Sequence, residues 1–192
     1  ALNADYGQRS TEDSLISDVL PCVMNINYTI KRLKKWMKPQ RRSAGLLLSP
    51  ASIEVHYQPL GVIGVVVPWN FPIMLSVGPL ISTIAAGNRA MIKLSEFTPN
   101  TNQALKVMFE SIFDEQTVAI IEGEADIAAQ FTSLPFDHLL FTGSTAVGKH
   151  VMRAAADNLT PVTLELGGKS PVIIADDIPI ETAVERLIYG KC

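Results

Sequence analysis

Four short segments of the sequence carry side chains whose type and setting suit chemistry. Asn70 stands in Pro68-Trp69-Asn70-Phe71-Pro72, a turn held between two prolines. Its amide NH2 could donate to an oxyanion developing on a carbonyl, although an Asn also suits a turn for conformational reasons alone. Lys93 and Glu96 lie three residues apart at the end of an apolar run. An ammonium beside a carboxylate could hold two hydroxyls of a ribose, and a carboxylate facing the 2′ position favours NAD over NADP. The plainer alternative is a surface ion pair of little worth. Leu139–Gly148 reads as a strand, a tight turn and a helix start. There Gly143 permits close backbone approach, the Ser144 hydroxyl can add a hydrogen bond, and the free amides of a helix N-terminus suit a phosphate. The segment is not G-x-G-x-x-G, and Ser144 or Thr145 could simply be an N-cap. Glu165 interrupts the apolar Thr163-Leu164-Glu165-Leu166 before Gly167-Gly168. A carboxylate buried there would have a raised pKa and suit general-base work near neutrality, unless the residue faces solvent.

These groups need a scaffold, and the pattern around them supplies one. Apolar runs at Val62–Val67, Ala90–Leu94, Thr117–Ile121, His138–Phe141, Val162–Leu166 and Val172–Ala175 read as strands. They alternate with helical patterns over Ile73–Ala86, Asn100–Phe113, Glu124–Ser133 and Thr145–Asn158, and a last helix begins at Glu181. Strands apolar on both faces, alternating with helices, predict an α/β fold with a doubly wound, Rossmann-like parallel sheet. Ligands of such sheets bind beyond the C-terminal strand ends, where all four segments fall. Ahead of the sheet, an apolar stripe from Leu15 through Val19, Val23, Ile26, Ile30 and Leu33 predicts a long amphipathic helix ending before Pro39. Ser52–Gln58 alternates as a peripheral, antiparallel strand.

Composition excludes several classes. The 192 residues are 47% hydrophobic and 18% charged with a formal net charge of −3, which is not a disordered chain. Two cysteines, Cys22 and Cys192, make no disulfide scaffold. Seven of the 16 basic residues lie between Lys31 and Arg42. Their position at the end of the predicted helix suits the macrodipole better than a nucleic-acid patch. The 34 residues between Glu54 and Arg89 carry no Asp, Glu, Lys or Arg, but Pro59, Pro68, Pro72 and Pro79 break any membrane span. His56, His138 and His150 show no metal-ligand spacing. The chain opens with no basic-then-apolar leader.

Together the motifs resemble the aldehyde dehydrogenase superfamily over about Asp5 to Cys192. The resemblance rests on Pro68-Trp69-Asn70-Phe71-Pro72, Ala85-Ala86-Gly87-Asn88, Lys93-x-Ser95-Glu96, Phe141-Thr142-Gly143-Ser144-Thr145 and Leu164-Glu165-Leu166-Gly167-Gly168-Lys169-Ser170-Pro171. Trp36-Met37-Lys38-Pro39, Tyr57-Gln58-Pro59-Leu60-Gly61, Ser95-Glu96-Phe97-Thr98-Pro99 and Leu134-Pro135-Phe136-Asp137-His138 point to the class-3-like branch, and most to the coniferyl aldehyde dehydrogenases. The resemblance implies NAD(P)-dependent oxidation of an aldehyde, aromatic or aliphatic, to the carboxylate through a thiohemiacetal and a thioester. It implies Asn70 as oxyanion donor and Glu165 as general base. It implies cofactor contacts from Pro68 and Trp69 along the cofactor wall, Lys93 and Glu96 at the ribose, and Leu166 near the nicotinamide. Gly143, Ser144 and the helix opened by Thr145, Val147 and Gly148 would meet the pyrophosphate. Leu94 stands where the family often has Pro, a change expected to soften that turn.

The nucleophile is where the sequence departs. The family's cysteine follows a Gly-Gln pair, whereas Cys192 follows Tyr189-Gly190-Lys191 and lies only 27 residues after Glu165. Cys192 is therefore expected to be a structural or terminal thiol, and Cys22 a core residue. The chain is expected to be a partial sequence. Residues 1–60 would form a helix and strand packed on an NAD(P)-binding domain over 61–192, cut before a catalytic domain. The complete protein is expected to be cytoplasmic and homodimeric. The alternatives are a free-standing nucleotide-binding module without catalysis and, on the same fold, an acyl-group reductase.

Overall fold

The computed structural model describes residues 1–191, without the side chains of Tyr189 and Lys191; Cys192 lies outside the described residues. The N-terminal part begins with two short helices, α1 (Leu2–Tyr6) and α2 (Thr11–Ser14). A π-helical turn over Leu15–Val19 then leads into α3 (Leu20–Trp36). In that turn the Leu20 amide donates to the Leu15 carbonyl, five residues back. The widening comes just before Pro21, which has no amide to bond and whose ring crowds the preceding turn. Two strands, β1 (Gln40–Arg42) and β2 (Ile53–Val55), pair antiparallel with Gln40 opposite Val55. The predicted peripheral strand is thus present but shorter, and part of the basic run is its partner.

The predicted stripe of α3 is not the face that is buried. Cys22 and Thr29 are the buried residues of α3, whereas Val23, Ile26 and Ile30 remain exposed. Period identifies an apolar stripe, but the neighbour available, the first helix of the sheet domain, determines which residues are covered.

The sheet consists of β3 (Val62–Val66), β4 (Arg89–Lys93), β5 (Val118–Ile121), β6 (His138–Gly143) and β7 (Val162–Leu166). All its pairings are parallel, in the spatial order β5-β4-β3-β6-β7. Counted in chain order this is 3-2-1-4-5, so the strand order reverses between β3 and β6. The connecting helices are α4 (Pro72–Ala85), α5 (Pro99–Glu110), α6 (Ala125–Thr132) and α7 (Thr145–Ala156). Helix α4 opens on Pro72, whose fixed φ suits a first turn. It gives way at Gly87, whose φ of 79° an L side chain resists.

Alternation along the strands builds a core on each face. Ile63, Val65, Val67, Ala90, Ile92 and Leu94 pack with Leu80 of α4 and with Leu105 and Phe109 of α5. On the other face Leu139 and Phe141 pack with Phe131, Phe136, Val151 and Ala155, joined by Val62, Val66 and Met91. This is the doubly wound arrangement expected.

Val172–Ala175 forms no strand. Ile173 is 92% exposed, and the sheet stops at β7. An apolar run becomes a strand only when a neighbour pairs its backbone groups, and none of the described residues does so there. The final helix, α8 (Ile180–Lys191), follows as predicted. No helix among the described residues is long and apolar enough to cross a membrane.

Candidate functional site

The registers bring the four motif segments to one edge of the sheet. Val66 lies beside Lys93 on one side and Phe141 on the other, Phe141 beside Leu164, and Thr142 beside Glu165. The chain leaves β3 through Pro68–Phe71, β4 through Leu94–Thr98, and β6 through Ser144. The reversal between β3 and β6 opens the crevice in which doubly wound sheets take ligands.

The turn after β3 is held from outside itself. Tyr6 Oη donates to the Trp69 carbonyl. Arg9 Nη1 donates to the Asn70 carbonyl at 3.1 Å. At the start of α4, the Ile73 and Met74 amides donate to Asp18 Oδ1 at 3.2 and 3.0 Å. Trp69 and Asn70 are exposed, Pro68 is half-buried, and the Asn70 side-chain amide has no partner among the described residues. The amide is therefore not consumed by an Asx-type turn and is available to an acceptor.

At the end of β4, Lys93 is buried, which excludes the surface-pair alternative for it. Its Nζ donates to the Leu94 carbonyl at 2.8 Å and lies 3.6 Å from Glu96 Oε2, whose side chain remains partly exposed. Asn102 Nδ2 donates to the Ser95 carbonyl at 2.7 Å, and Asp5 reaches across to α5, accepting from the Asn100 and Thr101 amides at 3.0 and 2.8 Å. Desolvation works against the Asp5 carboxylate, but its hydrogen bonds to Thr101 and Asn100 outweigh it and hold the pKa below the ordinary value. The expected softening at Leu94 is not found. Leu94 is buried in the core and its amide donates to the Ile121 carbonyl at 3.0 Å, a bond that a proline could not make.

After β6, Ser144 is the N-cap of α7: its Oγ accepts from the Val147 amide at 3.3 Å. The capping alternative is thus realised. The room at Gly143 is taken by protein, since a Cβ there would lie 2.5 Å from the Phe141 ring. At Gly148 a Cβ would meet Leu166 at 2.7 Å, so β7 and the first turn of α7 touch through that glycine. Thr145 and Val147 are exposed.

The helix termini at this edge differ in charge. Asp18 caps α4, Asp5 caps α5, and α6 begins at Glu124 with Asp126 in its first turn. Helix α7 has no acid in its first turn, and its cap is a neutral hydroxyl. Its N-terminal potential is not cancelled by a carboxylate, which fits a phosphate there. Two strands away, at the end of β4, the Lys93 ammonium and Glu96 carboxylate offer the donor and acceptor that a ribose diol needs. The residues present thus fit a dinucleotide.

Glu165 overturns one expectation. It is exposed, as is Leu166, because β7 is the sheet's edge strand, with no strand beyond it among the described residues. Its carboxylate is therefore open to solvent within residues 1–191. The motif reading also missed Tyr6, Arg9, Asp18 and Asp5, which lie 55 to 96 residues from their partners. The one local signal was Asp18, an acid set in an otherwise apolar helical stretch.

Comparison with known proteins agrees with this fold. The aldehyde dehydrogenase family model matches residues 4–192. Among curated relatives, a probable coniferyl aldehyde dehydrogenase of Pseudomonas aeruginosa is 57% identical over 191 residues, and a coniferyl aldehyde dehydrogenase of Pseudomonas sp. strain HR199 is 48% identical. Each alignment covers 100% of this chain but only 40% and 39% of the relative, so the chain spans about two fifths of the length of these relatives. Among solved structures, substrate-bound Staphylococcus aureus AldH superposes with a TM-score of 0.89 at 40% identity, covering 93% of this chain and 39% of that one. A Mycobacterium tuberculosis aldehyde dehydrogenase complexed with NAD+ superposes with a TM-score of 0.83 at 33% identity, covering 98% and 38%.

Proposed function

Because the chain belongs to the aldehyde dehydrogenase family, we propose that it is the cofactor-binding part of an enzyme that oxidises an aldehyde to its carboxylate with NAD or NADP. The observation that carries this reading is the convergence of the Asn70 turn, the Lys93–Glu96 pair and the start of α7 on the crevice between β3 and β6. A bare nucleotide-binding module has no use for an unengaged amide on a turn braced at both ends.

In this reading Ser144, Thr145, Val147 and Gly148 lie along the pyrophosphate, with Gly143 admitting the turn. Lys93 and Glu96 take the adenosine ribose, and Pro68, Trp69 and Leu166 line the walls. Bound NAD(P)+ supplies the hydride acceptor. The Asn70 amide donates to the carbonyl oxygen as negative charge builds on it, and Glu165 accepts the proton of the thiol or of the hydrolytic water. Glu165 acquires its closed surroundings from a catalytic domain beyond residues 61–192, packed over β7. Cys22 is unfit as the nucleophile. Burial, with the Asp18 carboxylate nearby, pushes its pKa to about 11, and its thiol donates to the Asp18 carbonyl at 3.1 Å. The thiolate comes from the part of the protein that the relatives have and this chain does not span.

Resemblance to the coniferyl aldehyde dehydrogenases supports an aromatic aldehyde such as coniferaldehyde as substrate, with long aliphatic aldehydes next. Glu96 favours NAD over NADP. The exposed β1–β2 pair and the exposed Leu46 and Leu47 beside it support a homodimer built on that edge. A complete enzyme sedimenting as a monomer at micromolar concentration would count against that.

The test is a chimera in which this chain replaces the 191 matching residues of the Pseudomonas aeruginosa relative. It should oxidise coniferaldehyde with NAD+ in preference to NADP+. Saturation by acetaldehyde but not by coniferaldehyde would remove the substrate assignment. A folded chimera that binds NAD+ and never turns over would favour the binding module.

A further inference from the structure

The cluster formed by Tyr6, Arg9, Asp13 and Asp18 belongs to none of the motifs that carry the functional reading, yet it converges on the turn that presents Asn70. The Arg9 guanidinium is almost enclosed: Nε and Nη1 make hydrogen bonds, whereas Nη2 and Asp18 Oδ2 form a close ion pair without a hydrogen bond between them. Nε donates to Asp13 Oδ2 at 3.0 Å, Nη1 donates to the Asn70 carbonyl at 3.1 Å, and Nη2 lies 2.8 Å from Asp18 Oδ2. Its central carbon lies over both the Tyr6 and the Phe71 rings, 5.1 and 5.2 Å from their centroids. Asp18 is fully buried. One of its oxygens faces Arg9 and the other receives the Ile73 and Met74 amides. The π turn over Leu15–Val19 includes Asp18, so the widened turn helps to set the direction of that carboxylate.

The connections close a ring. The Asn70 carbonyl is held by Arg9, Arg9 is paired to Asp18, and Asp18 holds the helix that begins two residues after Asn70. The backbone on both sides of Asn70 is therefore clamped, while its side-chain amide is left free and exposed. The planar fork spreads these contacts over three nitrogens, whereas an ammonium would have to make them all from one atom.

We propose that Arg9 is a positioning residue for Asn70: it fixes the Asn70 peptide, and so the direction in which the Asn70 amide meets the developing oxyanion. This rests on the assignment of Asn70 as oxyanion donor. A buried ion pair also has a structural role, and removing Arg9 alone would leave Asp18 uncompensated. The test therefore removes both charges. In the chimera, the double variant Arg9→Met with Asp18→Asn keeps the amide acceptor for Ile73 and Met74 and should unfold near the parental temperature. Its kcat should fall by about tenfold to a hundredfold, the scale of loss for a small misplacement, with KM for NAD+ unchanged. In an Asn70→Ala background the same two substitutions should cost nothing further, because Arg9 acts through Asn70. Arg9→Lys, which keeps a cation beside Asp18 but gives up the fork, serves as a second variant and should show the same dependence on Asn70.

An equal loss of kcat with Asn70 intact and in the Asn70→Ala background would make the cluster merely structural and overturn the proposal. So would parental kcat in the double variant. If Asn70→Ala alone keeps parental kcat, the assignment of Asn70 fails, and the positioning role fails with it. That outcome is distinguishable because it is read before Arg9 is touched.

Discussion

Asn70 and Glu165 both stand at C-terminal strand ends of one sheet, and the chain supports them very differently. Asn70 follows a central strand, in a turn pinned by Tyr6, Arg9 and Asp18 from a segment more than 50 residues earlier. Glu165 lies on the edge strand, exposed, ahead of an unpaired apolar stretch. The backbone that carries Asn70, the proposed oxyanion donor, is braced within residues 1–191. Glu165, the proposed base, has no such support there. Placement by sheet register is thus separate from electrostatic surroundings, and the chain supplies the first for both residues and the second for neither.

The contrast yields graded predictions for the chain itself. The largest effect belongs to Asp18→Ala, which takes from the Arg9 guanidinium its buried partner, leaving it only the exposed Asp13, and uncaps α4. It should cost about 3–5 kcal/mol in a urea titration, and a cost near zero would mean that the brace is not needed. Between the two regions lies Gly143→Ala. The added Cβ strikes the Phe141 ring, itself held in the core, so a loss of about 1–3 kcal/mol is expected by thermal unfolding.

Asp5→Ala comes next, at about 0.5–2 kcal/mol, the usual value of a lost cap. Its pH dependence gives a sharper check. The folded pKa of Asp5 lies below its ordinary value, so its stabilisation is complete above about pH 3.9 and is lost as pH falls through the folded value. Parent and variant should therefore converge in stability only in strong acid, and a difference that persists there would mean the carboxylate charge is not what holds α5. The smallest effect is Glu165→Gln, which should stay within about 0.5 kcal/mol in this chain, as surface changes do. A cost of several kcal/mol would place Glu165 in a covered site and erase the contrast.

Much of this arrangement was legible in the residues. The strand–helix alternation gave the sheet, and handedness with short connections restricted its order, because those features depend on neighbouring residues. What failed depended on distant ones. Val172–Ala175 has a strand's composition and lacks a strand's partner. The Glu165 burial argument treated β7 as interior, whereas edge or centre is a property of the whole sheet. The α3 stripe was visible, but which part of it α4 would cover was not. Ser144 was open between cap and phosphate ligand, and the structure places it as an exposed cap. Arg9 and Asp18 escaped notice because the π turn and a 55-residue closure bring them to the Asn70 turn.

The central claim is that this chain presents a catalytic amide on a cofactor-binding sheet. Its most direct test is kcat for coniferaldehyde and NAD+ in the chimera, with Asn70 and with Asn70→Ala. Turnover by the parent and a loss of about 10²–10³-fold in the variant are predicted, the scale for removing one oxyanion donor. Equal kcat in the two proteins would contradict it.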